Sequence, residues 1–136
     1  MLTVDQLGYL LKQAYPNLKR GVHYHVAHPV DSVTLEQTGP AFIASWQHET
    51  IAQPILDDIE RLWQQHGEAC SKWDAERKAR LKRDELLVEA DRLVEGAIDR
   101  GDAEKEKSAR HYRQALRDIP QQTGFPFSIE WPERPS

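Results

Sequence analysis

The sequence predicts an α+β protein. Three observations carry this: a capped amphipathic helix at the start, alternating apolar segments between residues 22 and 47, and a long helix-forming stretch from residue 54 onward. The expected architecture is a small helix–antiparallel sheet–helix unit over residues 1–66. Residues 67–136 then form a long helix, a helical hairpin and an extended aromatic, proline-rich C-terminal tail. With 136 residues, the chain has room for one modest core or two small ones.

The first helix follows from Thr3, which can cap it, and from Gln6 three residues on, a capping-box pair. Val4, Leu7, Leu11 and Ala14 recur at helical spacing and form its apolar face. Tyr15 stands before Pro16, which disfavours helix at that position. Lys19-Arg20-Gly21 reads as a turn. Val22, Tyr24 and Val26 alternate with His23, His25 and Ala27, the period of a strand. Val33, Leu35 and Gln37 suggest a weaker second strand. Residues Ala41 to Gln47 are expected to form the best-buried strand, with Phe42, Ala44 and Trp46 on one parity.

Pro54 suits the first position of a helix, and Ile55, Ile59, Leu62 and Trp63 form its stripe. Trp46 and Trp63 both fit core positions. Gly67 either ends this helix or is carried within it at a cost of about 1 kcal/mol. Residues 68–98 are helical in composition. Opposite charges four apart support the middle: Asp74 with Lys78, Glu76 with Arg80, and Arg80 with Asp84. Within 74–85 only Leu81 could reach a core. Leu87, Ala90, Val94 and Ala97 form a packing seam. Gly101 and Asp102 fit a helix end followed by a new N-cap. A further helix carries Ala109, Tyr112, Leu116 and Ile119 on one face, giving an antiparallel hairpin. From Gly124 the prolines forbid helix. If the tail is extended, Phe125, Phe127, Ile129 and Trp131 share one side, to pack on the hairpin or to meet a partner.

Composition excludes several classes. The chain holds 18 basic and 22 acidic residues, a net charge of −4, without the basic excess of a dedicated nucleic-acid binder. Cys70 is the single cysteine, so a disulfide-stapled scaffold is excluded. No apolar run approaches a membrane span, and the N-terminus lacks a basic-then-apolar signal layout.

Few residues suggest chemistry. His23, His25 and His28, with Asp31 nearby, have the only metal-like spacing, but a solvated or partner-facing strand explains them better. Cys70 has His66 four residues earlier but no third orienting group, so it reads as an incidental thiol. Arg77, Lys78, Arg80, Lys82 and Arg83 concentrate cations, yet acidic neighbours bracket them and no aromatic lies among them to stack on bases. No catalytic site, metal or cofactor is expected. Trp73 opens the charged stretch with few apolar neighbours and is a candidate binding residue. Phe127 and Trp131 in the tail are candidates too, with His23, Tyr24 and His25 as a second patch.

The string from Tyr112 to Pro135, YRQALRDIPQQTGFPFSIEWPERP, resembles the closing motif of phage tail assembly chaperone proteins. Tyr112 to Asp118, Pro120, Gln122, Gly124 to Pro126, Ile129, Trp131 and Pro132 carry the match. Arg83-Asp84, Leu86-Leu87 and Asp91 fit the family's preceding R-D-x-L-L-x-x-x-D pattern, so the resemblance spans about residues 83–135. Where the family often has T-D-W between helices, this chain has Asp91-Arg92-Leu93. The strand ending at Trp46, the Gln53-Pro54 loop and the following helix are loosely similar to the N-terminal unit of some related phage tail proteins. The resemblance implies a non-enzymatic chaperone in the cytoplasm of a bacterial host. It would bind a tail-fibre or other tail protein, with no nucleic acid or membrane involved, and homodimerisation stays open. The alternative it leaves is a structural tail or fibre component retained in the virion.

Overall fold

The computed structural model describes residues 1–136. The element order is α1 (Val4–Ala14), β1 (Tyr24–Ala27), β2 (Phe42–Trp46), α2 (Leu56–Asp99), α3 (Ala103–Arg117) and a short 3-10 turn at Ile119–Gln121. This is the small α+β protein that the sequence predicts. The chain forms two compact units, Met1–Asp74 and Ala75–Ser136. The division thus falls inside α2, beyond Gly67, because that helix runs unbroken from Leu56 to Asp99.

In the first unit, α1 begins as its sequence dictates. The Gln6 N–H donates to the Thr3 hydroxyl at 3.2 Å, and the Thr3 N–H donates to the Gln6 side chain at 3.0 Å. Two otherwise orphaned donors are satisfied by one pair of residues. The helix ends at Ala14, just ahead of Tyr15-Pro16. Its buried face is Leu7, Leu10 and Leu11; Ala14 is exposed.

The sheet has two antiparallel strands. Residues 33–37 do not form the expected strand. Asp31 winds them into a turn instead, its carboxylate accepting the Val33 and Thr34 N–H groups at 2.8 Å each. Those bonds favour the charged form and lower the Asp31 pKa. Leu35 takes a left-handed φ of 60°, and only an isolated Val30–Gln37 bridge remains.

β2 is not the best-buried strand. Ala41 before it is buried, but Phe42 is 50% exposed and Ala44 is exposed. The expected parity fails because the register slips between His25 and Val26: Tyr24 faces Trp46 and His25 faces Ser45, whereas Val26 faces Ile43. One extra residue on β2 reverses which side chains point inward. Ile43 and Trp46 therefore both reach the core, although they are three positions apart.

That core is built from Leu7, Leu11, Leu18, Tyr24 and Ala41, with Ile59 of α2 packed against it. Tyr24 stacks on Trp46 at 5.7 Å between ring centroids, and Tyr15 meets the same indole edge-on at 5.3 Å. The Trp46 Nε1–H donates to the Ile51 carbonyl at 2.7 Å. α2 starts two residues after Pro54, at Leu56, where the Ile55 N–H donates to the Asp58 carboxylate at 2.9 Å. Asp58 thus caps the entry to the helix from within.

In the second unit, Gly101 takes φ 65°, a conformation open to glycine without a Cβ penalty. Asp102 then caps α3, accepting the Lys105 N–H at 3.1 Å. The hairpin closes over Ala90, Tyr112 and Leu116, with Leu86, Leu87, Leu93 and Trp131 packed around them. Arg113 pairs with Asp91 across it at 3.1 Å. Leu81 is 54% exposed, and the buried residues in that stretch are Asp74 and Ala79. Glu76 and Arg80 pair at 3.9 Å, but Asp84 pairs with its neighbour Arg83 rather than with Arg80.

The tail is not extended from Gly124. Residues 123–127 form a turn, closed by the Ser128 N–H to the Gly124 carbonyl at 2.8 Å. A Cβ on Gly124 would collide with the Ser128 carbonyl oxygen, so the turn requires glycine there. The turn breaks the expected four-residue stripe. Phe125, Ile129 and Trp131 are half-buried, while Phe127 is 70% exposed.

Leu116 is fully buried at the centre of the hairpin. Leu116→Ala is expected to destabilise the second unit by about 2–5 kcal/mol, read as a lowered midpoint in urea denaturation followed by circular dichroism.

Candidate functional site

A concave surface in the first unit has a volume of about 1290 Å³. α1 and the residues before it supply Leu2 and Leu7, β2 supplies Phe42, and the start of α2 supplies Ile55, Leu56 and Trp63. Leu7 is buried beneath, whereas Leu56 is 71% exposed, Ile55 62% and Trp63 40%. Trp63 is therefore a groove residue, not a core residue. Apolar side chains this exposed and this close together mark an interaction surface.

Local chemistry holds the walls in place. The Leu2 carbonyl accepts both the Ala41 N–H at 2.9 Å and the Gln37 amide at 2.8 Å. The same Gln37 nitrogen reaches the Gly39 carbonyl at 2.8 Å. These bonds tie the first residues of the chain to the entry of β2. Gly67 shapes the far wall, since a Cβ there would come within 3.0 Å of the Trp63 indole. Its absence lets the ring lie along the helix. Nothing in the sequence pattern singled out this groove, because its residues come from three separated segments.

The expected binding residues are scattered. Trp73 is 36% exposed and its ring lies 5.1 Å from that of Tyr9. Tyr24 is only 2% exposed; it is a core residue and presents no surface patch. Burial raises its hydroxyl pKa, partly opposed by the positive charge of Arg20. Phe127 stands out from the second unit. Trp131 is instead packed on the hairpin core, with the Lys82 ammonium 4.4 Å from its ring centroid. Arg80 similarly covers Phe125 at 5.8 Å. The cationic run thus spends charges on the tail's own aromatics.

The histidines do not converge. His23 Nδ1 accepts the Lys19 N–H at 2.8 Å, and His25 Nδ1 lies 2.9 Å from the Ser45 hydroxyl. Asp31 is engaged in its turn. His48, not His25 or His28, is the ring beside His23, at 6.3 Å. Its Nδ1 accepts the Ile51 N–H at 2.9 Å. In both rings Nδ1 is thus already engaged by a backbone N–H. No group of three His, Cys, Asp or Glu side chains is placed to hold a metal.

Cys70 is fully buried, its thiol 3.8 Å from the Gln6 carbonyl. Burial, reinforced by the Asp74 charge, pushes its pKa from 9.0 to about 11. The thiol is protonated at neutral pH, the opposite of an activated nucleophile.

Residues 76–136 match the family model of phage tail assembly chaperone proteins, and residues 7–70 match that of the XkdW protein family. Both families are phage tail-related. The chain is similar, part by part, to two phage tail families. The gap between the two matches brackets the structural division at Asp74/Ala75. The chaperone-like part is thus the hairpin unit, and the XkdW-like part is the unit that carries the groove. Neither a curated protein nor a solved structure matches the chain. No helix is long and apolar enough to cross a membrane.

The Cys70 shift has a defined pH consequence. Folding favours the neutral thiol, so its contribution is whole below pH 9 and is lost as the pH rises toward about 11. The stability advantage of the wild type over Cys70→Ala is expected to be constant near neutrality and to shrink across that window, in urea titrations at stepped pH.

Proposed function

We propose that this protein is a non-enzymatic assembly factor that binds a phage tail or tail-fibre protein before it is incorporated into the tail. The observation that carries the reading is the phage tail assembly chaperone match over residues 76–136, which coincides with a compact structural unit. The match supports a role in tail assembly generally; the identity of the client is this proposal's own step. The surface chemistry supports it. An unassembled fibre or tail subunit exposes apolar surface and unpaired strand edges. This chain offers an open apolar groove in one unit and an exposed phenylalanine in the other. The most perturbed titratable group near the groove is a thiol made less reactive by its surroundings, which suits binding rather than catalysis.

Such a factor acts in the cytoplasm of the bacterial host and leaves once its client is built in. Phe127 and the groove are assigned to client binding, with Trp73 at its edge of the first unit as a further contact. Trp131 is assigned to holding the hairpin.

The test is affinity capture with the tagged full chain from an induced lysogen, with mass spectrometry of the eluate and of purified particles. A tail or fibre protein in the eluate, with this chain absent from particles, is the expected result. Finding the chain in particles would make it a structural component. Two substitutions divide the roles. Phe127→Ala is expected to reduce client recovery while leaving the unfolding free energy within about 0.5 kcal/mol of wild type, with the midpoint in urea unmoved, as for an exposed site. Trp131→Ala is expected to lower that midpoint.

A further inference from the structure

We propose that the groove of the first unit takes one extended, mainly apolar segment of a tail protein as an added strand along β2, with a lysine or arginine of that segment paired to Glu60. This deepens the assembly-factor reading above and rests on it.

The sheet supplies the first reason. It contains β1 and β2 alone, so the edge of β2 away from β1 has no neighbouring strand. Backbone donors and acceptors along such an edge are a template for another extended chain. The groove reaches the start of this strand: Ala41, Phe42 and Ile43 line it, together with Ile55 and Trp63. At one end the edge is already engaged, the Leu2 carbonyl accepting the Ala41 N–H at 2.9 Å. The chain's own first residues thus lie where a strand would begin, and the edge beyond Ala41 is left for another chain. A helix laid in the groove would fill its apolar walls but could not pair with the strand edge, because its own backbone groups are already used. An added strand satisfies both, with alternate side chains turned toward the apolar walls.

Charge supplies the second reason. Glu60 is the only acidic or basic side chain lining the groove, and it makes no ion pair, whereas the nearby Asp58 is matched by Arg61 at 2.7 Å. A lone carboxylate on an apolar wall selects a cationic side chain in the segment that covers it. It also argues against a second copy of this chain. β2 itself carries no charged residue, and a two-fold β2–β2 pairing would bring two Glu60 carboxylates to one interface.

The experiment uses the full chain and overlapping peptides of about 15 residues, longer than an ordinary strand, spanning the tail proteins of the encoding phage. Binding is read by fluorescence anisotropy. Each bound peptide is then resynthesised with single N-methyl groups along its backbone. Strand addition predicts losses at every second residue, because only alternate N–H groups face the β2 edge. Glu60→Lys is expected to weaken a peptide containing lysine or arginine about tenfold, and exchanging that peptide residue for glutamate is expected to restore binding to the variant. Losses at helical spacing, or an unchanged affinity for Glu60→Lys, would overturn the proposal. So would capture of an intact tail protein by the full chain when no peptide binds, which leaves the assembly-factor reading standing. If neither intact tail proteins nor peptides bind, both readings fall. Concentration-dependent dimerisation abolished by Phe42→Ala would assign the groove to a second copy instead.

Discussion

A two-stranded sheet has too little surface to hold itself in water, and the first unit is arranged around that constraint. Tyr24 is the residue that meets it. Its ring is buried between the sheet and α1, stacked on Trp46. Trp46 in turn is held by Tyr15 and by a hydrogen bond to the Ile51 carbonyl. This cluster fixes β1 against β2 and brings the chain toward α2. The groove is a consequence, because α1, β2 and the first turns of α2 converge on one core and leave their outer apolar residues exposed around its rim.

The second unit meets the same problem with helices. An antiparallel hairpin buries Ala90, Val94 and Ala97 against Ala109, Tyr112 and Leu116. The C-terminal segment completes it. Gln122 pairs in both directions with the Glu130 backbone, at 2.8 and 2.9 Å, and so holds the tail as a strand partner would. Arg134 reaches Glu89 at 2.7 Å. The cations of α2 then lie over Phe125 and Trp131. A charge-rich stretch and an aromatic-rich tail, each odd in isolation, account for one another.

The division of labour between the units follows from what each leaves uncovered. The hairpin unit leaves Phe127 alone on its turn, whereas the first unit leaves an apolar groove and a strand edge. The proposed assembly role calls for exposed surface of this modest kind, able to hold a partner without trapping it. The family matches divide at the same place as the fold, so the two units are also two sequence modules.

Short-range features were legible in the sequence. The Thr3–Gln6 box, the end of α1 before Pro16, the Gly101-Asp102 junction and the hairpin seam depend on residues within one or two turns of each other, where spacing translates directly into geometry. The resemblance of residues 83–135 was legible for the same reason: a contiguous string carries it. Tertiary structure alone decided the rest. A register slip in the sheet reversed the parity of β2 and took Phe42 out of the core. Burial against α1 took Tyr24 from the surface. A turn closed on Gly124 separated Phe127 from the aromatics it shares a parity with. It also decided the groove, whose walls come from positions more than fifty residues apart in the chain. Periodicity reports which side of its own element a residue faces, and only packing decides what, if anything, covers that side.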